Sequence, residues 1–462
     1  MKKYLLSFVF ILFCLSINAQ TTPSIEFTAG VDGNERNLYI AANKTGVKLQ
    51  IDWGDGNLVE TEEIALADEY GSTTTITGVP TGTGVIKIYG EGIASLDCSS
   101  RVDGAQVTSI DVSNAPDLTD LSVYTNALTK LDVSKNVNLT KLNCYNNPIT
   151  ALDLSANTKL TSLNAQNMKL TEIDLSQNTA LTTIYLSNNN LTNIDLSKNT
   201  ELKSLYLLNA GLTSIDLSNN DKLTYASLNG NQLTTLDVTG CDALESLFCM
   251  SNQLTSLYAD NVTKSVNCSK NNFTLATLPA LPCKTYTYAP QNAMPVAESI
   301  AVGEALDLSA QNNITGLAGE PQATTYTWYT QNGEVLDPAT YYTEADGVFT
   351  FIAAPAQPVY CVMESNAFPK FSGSNTFKTT ETTITDNGDG VTEANANQIV
   401  IRIDNGYVSL LQLPLNAEVT VSNINGQVLS HNICKSNQMQ LNLRPGLYII
   451  SVNGTAYKVI AQ

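Results

Sequence analysis

One pattern constrains this chain more than any other. From Leu118 onward a segment LTDLSVYTNAL returns every 21 residues as LTKLNCYNNPI, LTSLNAQNMKL, LTTIYLSNNNL, LKSLYLLNAGL, LTYASLNGNQL and LESLFCMSNQL. Between these lie segments of a second kind, such as LTKLDVSKNVN, ITALDLSANTK, LTEIDLSQNTA and LTNIDLSKNTE. A unit this short cannot bury its apolar face alone and does so only against its neighbours, so the period predicts a solenoid. Within each half, L-x-x-L-x-L or L-x-x-L-x-C turns alternate side chains inward on an extended segment. No apolar stripe at helical spacing accompanies it, so the expected fold class is mainly β, with few helices.

Composition narrows the function. Of 462 residues only 15% are charged, and 43 Asp and Glu oppose 24 Lys and Arg for a net charge of −19. Such a surface repels phosphate backbones and anionic lipid, which argues against nucleic-acid partners. The single histidine, His431, removes His-dependent triads and multi-His metal sites. Residues 1–20 join Lys2 and Lys3 to an apolar run ending at Leu15 and then Asn18-Ala19-Gln20, the form of a secretory signal peptide. No later apolar stretch approaches the roughly 18 residues of a membrane span, so no transmembrane helix is expected. Eight cysteines follow the signal, none in a CxxC pair. Cys98, Cys144, Cys249 and Cys268 fall on the inward position of the repeat and read as small buried hydrophobes.

The units resemble bacterial leucine-rich repeats, in particular the nested 21-residue type called IRREKO, LxxLxCxxNxLxxLDLxxNxx, found in internalin-like and BspA-like surface proteins. The resemblance spans about residues 85–275. It decays at both ends, where IASLDCSSRVDGAQ is elongated and TKSVNCSKNNF arrives two residues early. It implies a right-handed coil of parallel strands with irregular terminal units.

Three sets of repeated side chains are candidates for a role. Asn136, Asn157, Asn178, Asn199 and Asn220 recur at the period, as do Asn126, Asn147, Asn189, Asn231 and Asn252. Both sets read as structural ladders that bond the backbone of successive coils, and Met168 and Ala210 interrupt the second, so irregularity is expected there. Asp111, Asp132, Asp153, Asp174, Asp195, Asp216 and Asp237 form an outward row. Coils about 4.8 Å apart would bring neighbouring carboxylates near enough to repel by about 0.8 kcal/mol per pair in water. The serine or threonine two residues on, with backbone N–H groups, answers this; a row of calcium ions on Asp132, Asp153, Asp174, Asp195 and Asp216 is the alternative. The third set lies on the outward positions of the LxxLxC strands, where Tyr185, Tyr206, Leu208, Tyr225, Phe248 and Met250 gather over four coils as a candidate ligand-binding patch. Cross-strand packing alone would also account for it.

The flanks read as β modules. Residues 21–84 alternate in period two, and LQIDWGDGN resembles the D-x-G-D-G turn of PKD-like bacterial surface domains; Asp52, Asp55 and Asn57 there form a tight hairpin or, less simply, hold a cation. This module is expected to cap the solenoid, residues 85–278. Residues 279–295 are a proline-rich exit. Residues 296–386 resemble an immunoglobulin-like sandwich through Trp328 and Cys361, although the first cysteine of that family is missing. After an acidic linker at 387–397, residues 398–462 resemble the C-terminal sorting domain of the Bacteroidetes type IX secretion system. Gly426, Gly446 and Lys458 match its motif elements, while its opening PNP is absent; positive φ explains the two glycines.

These readings converge on an exported protein, secreted or held at the outer-membrane surface. Its concave strand face is expected to bind a host or bacterial surface protein or a glycan, and the secretion machinery is a second partner. No catalytic residue is assigned and no cofactor is required beyond the calcium alternative. A calcium-dependent polysaccharide-acting enzyme and a purely structural surface component are the competing readings.

Overall fold

A computed structural model of the chain describes residues 22–68, 71–100, 106–386, 399–404, 407–444 and 446–461. The expected signal peptide at 1–20 and linker at 387–397 lie outside the described residues. The chain divides into two compact units: 1–295 with 310–326 and 362–379, and 296–309 with 327–361 and 380–462.

The first unit is a leucine-rich repeat solenoid, as the period requires. Short parallel strands Asp120–Ser122, Lys141–Asn143, Ser162–Asn164, Thr183–Tyr185, Ser204–Tyr206, Tyr225–Ser227 and Ser246–Phe248 stack in one sheet. Residues one period apart pair directly, Leu142 with Leu163 and Ile184 with Leu205. The irregular ends keep the stack by changing coil length: Leu96 pairs with Leu121, and Leu247 with Val266. Leu142, Leu163, Ile184, Leu205 and Leu247 are buried, as are Cys98, Cys144, Cys249 and Cys268 at the expected core position.

The two halves of a coil are not equivalent. Both were expected to be extended, yet the LDL half forms paired strands only at Thr235–Asp237 with Ser256–Tyr258, besides Val107–Asp111 near the start. Elsewhere it curls through successive tight turns, for example Asn136 N–H to Val133 O and then Leu139 N–H to Asn136 O. Asp132 Oδ1 takes the N–H of Ser134 in an Asx turn, and Asp111 and Asp237 do the same for Ser113 and Thr239 at the ends of their strands, so the carboxylate shapes the turn in both kinds of half.

Both sides of the first coil are continued by the N-terminal module. Arg36–Ala42 pairs antiparallel with Ile93–Asp97, and Thr74–Gly78 pairs with Arg36–Ala42, extending the parallel stack into a 12-stranded sheet. Ile25–Ala29 pairs antiparallel with Val107–Asp111 on the other side. Antiparallel strands thus occupy an edge that would otherwise offer unpaired backbone. The Asp52 turn is a hairpin, with Gln50–Asp52 against Leu58–Glu60 and Asp52 Oδ1 accepting from Gly54 and Gly56 N–H at 2.8 and 2.9 Å. Gly54 has φ +104°, and a Cβ there would lie 2.3 Å from Thr81 O, so only glycine fits.

The opposite end is closed by residues remote in sequence. Phe368 and Phe371 meet Tyr288 edge-on, each with centroids 5.3 Å away, and Lys370 N–H bonds the Tyr288 hydroxyl at 2.9 Å. Gln311 Oε1 accepts from Ala276 N–H.

The second unit is made of further β sheets. Ser299–Ala301 pairs parallel with Thr383–Thr385, and Val348–Phe351 lies between Ala305–Asp307 and Tyr342–Ala345. Trp328 packs against Phe349 and Phe351 at 5.5 and 5.1 Å. The C-terminal module has a three-stranded and a four-stranded sheet around Val408, Leu410, Val419, Val421 and Ile450. Gly426 has φ +81° in a turn bonded to Asn423. Gly446 corrects the positive-φ expectation: it opens the extended strand Gly446–Val452, paired with Ala461, while Lys458 pairs with Ile449.

Candidate functional site

The strand face carries the residues gathered by the repeat. Tyr185 and Tyr206 occupy equivalent positions of adjacent strands, and their rings stack at 4.4 Å and 17°. Tyr225 enters its strand two positions earlier, paired with Ser204, and its ring leans diagonally to reach Tyr206 at 4.9 Å and Phe248 at 5.5 Å. Four expected residues therefore form one continuous stripe. Partial burial among neighbouring phenols raises the Tyr206 pKa above its ordinary value, with Tyr185 and Tyr225 adding to the effect. Leu208 stands in the next column, exposed, with its N–H on Ser187 Oγ. Met250 is in that column too, its N–H held by Asn229 Oδ1.

A second stack, Tyr124 on Tyr145 at 4.7 Å and 5°, occupies the column of Leu208 and Met250 toward the start of the solenoid.

The sequence reading missed an exposed amide row beside this column. Thr125, Asn146, Asn167, Asn188 and Asn209 all have φ between +51° and +56°. Asparagine tolerates this left-handed geometry better than most side chains. Asn188 Nδ2 donates to Asn167 Oδ1 at 2.6 Å, and Asn209 Nδ2 to Asn188 Oδ1 at 3.2 Å. The doubled asparagines of YNNP and SNNN were its signal, since one member of each pair turns in and the other must turn out.

The inward asparagines bond the backbone of the preceding coil. Asn157 Nδ2 donates to Val133 O and Asn136 O at 3.0 and 2.9 Å, and Asn136, Asn178, Asn199 and Asn220 repeat the arrangement. In the second set Asn147 Oδ1 accepts from Leu128 N–H while Nδ2 donates to Val123 O and Cys144 O. Asn189, Asn231 and Asn252 do the same, and Asn271 extends the set. Strand register passes Met168 and Ala210 unbroken; only Gly211, at φ +94°, marks the second gap.

The aspartates lie on the other half of each coil. Asp132, Asp153, Asp174, Asp195 and Asp216 are exposed, and each Oδ1 accepts the N–H of the serine two residues on at 2.8 to 2.9 Å. Those bonds hold the carboxyl pKa values below the usual range, although Asp153 feels Asp132, and Asp174 feels both of its neighbours. Among the described residues no group of three or more His, Cys, Asp or Glu converges on one point. Burial pushes the thiols of Cys144 and Cys268 up to about 12, which suits inert core positions.

No helix among the described residues is long and apolar enough to cross a membrane. Residues 386–461 match a family described as a domain of unknown function, DUF6383. No curated protein matches the chain. Among solved structures it is similar to the functional domain of InlJ from Listeria monocytogenes, which includes a cysteine ladder, with 20% identity over 63% of this chain and 81% of that one at a TM-score of 0.37. It is also similar to the Listeria monocytogenes internalin inlF, 20% identical over 44% of this chain and 69% of that one, TM-score 0.34. The leucine-rich effector protein YopM from Yersinia pestis is 25% identical over 40% of this chain and 58% of its own, TM-score 0.32.

Proposed function

We propose that the chain is an exported interaction protein that binds a protein or glycan through the strand face of its solenoid. The observation that carries this is the stripe Tyr185–Tyr206–Tyr225–Phe248, four large rings in mutual contact on a sheet face that stays open to solvent. Aromatic clusters of this kind anchor interfaces because they bring large contact area at little conformational cost. Residues 1–20 supply the export signal, and the C-terminal module serves secretion and surface attachment. The aspartate row holds turns rather than metal in this reading.

The experiment is binding of the full chain to arrays of host proteins and glycans, with the double variant Tyr206→Ala and Phe248→Ala. Loss of a central anchor should weaken binding tenfold or more, about 1.4 kcal/mol. Stability in urea unfolding should fall by only about 0.6–3 kcal/mol, the sum for the three ring pairs lost, with the fold retained. Unaltered binding by the double variant would reduce the stripe to sheet packing.

A further inference from the structure

Resting on that strand-face reading, we propose that the ligand is an uncharged polysaccharide lying along the coil axis, across the strands. Charge is the first argument. The chain carries −19, yet no charged side chain stands at the outward strand positions from Ser162 to Ser269. At the margins Lys141 pairs with Asp120 at 3.4 Å and Lys264 with Glu245 at 2.6 Å, while Lys203 and Lys270 are exposed beside the face. An anionic polymer would find no cation on these outward strand positions themselves. Most protein partners would find none of the charge that steers and orients association.

Periodicity is the second. The ring centroids follow one another at 4.4, 4.9 and 5.5 Å, and the exposed amides Asn167, Asn188 and Asn209 repeat with the same coil. A folded protein presents an irregular surface, so it could match this face at few points. A polymer of one or two repeating sugars can repeat its contacts on successive coils, as with Tyr185 and Asn188 on one and Tyr206 and Asn209 on the next.

The chemistry agrees. Ser204, Ser246, Asn229 and the amide row provide neutral donors and acceptors for sugar hydroxyls. Because Tyr185 and Tyr206 cover each other's faces at 17°, the stripe meets a ligand with ring edges and phenol hydroxyls. Hydrogen bonding from the tyrosines, rather than a broad stacking platform, is then the main contact.

The test uses the full chain against laminarin, mannan and dextran as neutral probes, alginate and heparin as anionic ones, and collagen and fibronectin as proteins. The variants are Tyr206→Phe, which removes only a hydroxyl, and Ser204→Glu, which places a charge on the face. The wild type should bind at least one neutral polysaccharide with an affinity that changes less than about twofold between low and high salt. Tyr206→Phe should weaken it severalfold and Ser204→Glu about tenfold. Binding confined to the anionic or protein probes, with the same dependence on Ser204, would overturn the ligand class but leave the strand face as the site. Binding indifferent to both variants would overturn the strand-face reading itself. Absence of binding to all three neutral probes would also overturn the ligand class.

Discussion

Asparagine serves each coil in three ways, and the differences decide what each residue is worth. Asn178 gives its amide protons to Leu154 O and Asn157 O, but both carbonyls already accept a backbone N–H, from Asn157 and Leu160. Its own Oδ1 is buried without a partner. Asn189 instead receives the Leu170 N–H on Oδ1 while donating to Ala165 O and Leu186 O. Removing Asn189 therefore strands a buried donor, whereas removing Asn178 leaves its neighbours satisfied. An unmade buried hydrogen bond costs about 1–3 kcal/mol beyond the bond's modest net value. Asn189→Ala should accordingly destabilise by about 3 kcal/mol and Asn178→Ala by about 1, read from urea unfolding, with faster amide exchange at Leu170 only in the first. Equal losses would contradict this. Cys241 replaces the ladder asparagine after Asn220, its thiol reaching Leu217 O at 3.4 Å, so the coil tolerates a missing rung and the effect is one of stability.

At the scale of the element, the LDLS half-coil sets a local bond against a long row of like charges. The direction of the pKa values settles the contest. In Asp132, Asp153, Asp174, Asp195 and Asp216 the carboxyl is held down, first by the serine backbone N–H, despite repulsion between neighbours. A carboxyl depressed in the folded state stabilises above its unfolded pKa of about 3.9, and that stability is lost as pH falls through the lowered folded values. The melting temperature should thus be flat from neutrality to about pH 4 and fall below it. Asp174→Asn with Asp195→Asn keeps the acceptor for Ser176 and Ser197 N–H but removes the charge, so the acid fall should be shallower. Calcium up to millimolar levels should leave the melting temperature unchanged, and a rise with calcium would transfer these residues to a cation site. The same turns explain a limit of the sequence reading. Both halves share the L-x-x-L-x-L skeleton, and periodicity alone makes both strands; the aspartate that holds each turn was visible, but it does not tell the strand at Thr235–Asp237 from the turns elsewhere, since Asp237 makes the same bond to Thr239.

For the whole molecule, what could be read from the sequence was whatever repeats. Leu142, Leu163 and Ile184 pair in the expected register, and Tyr185, Tyr206, Tyr225 and Phe248 come together as the spacing implied. The ends were less legible, because a cap is a single event built from residues far apart in the chain. Residues 362–379 fall within what reads as a separate sandwich, yet they belong to the same compact unit as the solenoid. Phe368 and Phe371, themselves buried, cover Tyr288, which is 0% exposed. A repeat array is stabilised mainly by nearest-neighbour interfaces, so its last coil depends on whatever covers it. A chain ending at residue 295 should therefore expose Tyr288, free the Ala276 N–H and unfold from that end, with amide exchange rising first near Val266 and Tyr286 and aggregation following. Phe368→Ala in the full chain removes one ring from the same contact and should cost about 3–5 kcal/mol, the usual range for a buried phenylalanine. Its exchange should rise in the last coils while those around Leu142 and Leu163 stay protected. If the truncated chain is as stable as the full one, the closing residues are a separate domain that only touches the solenoid.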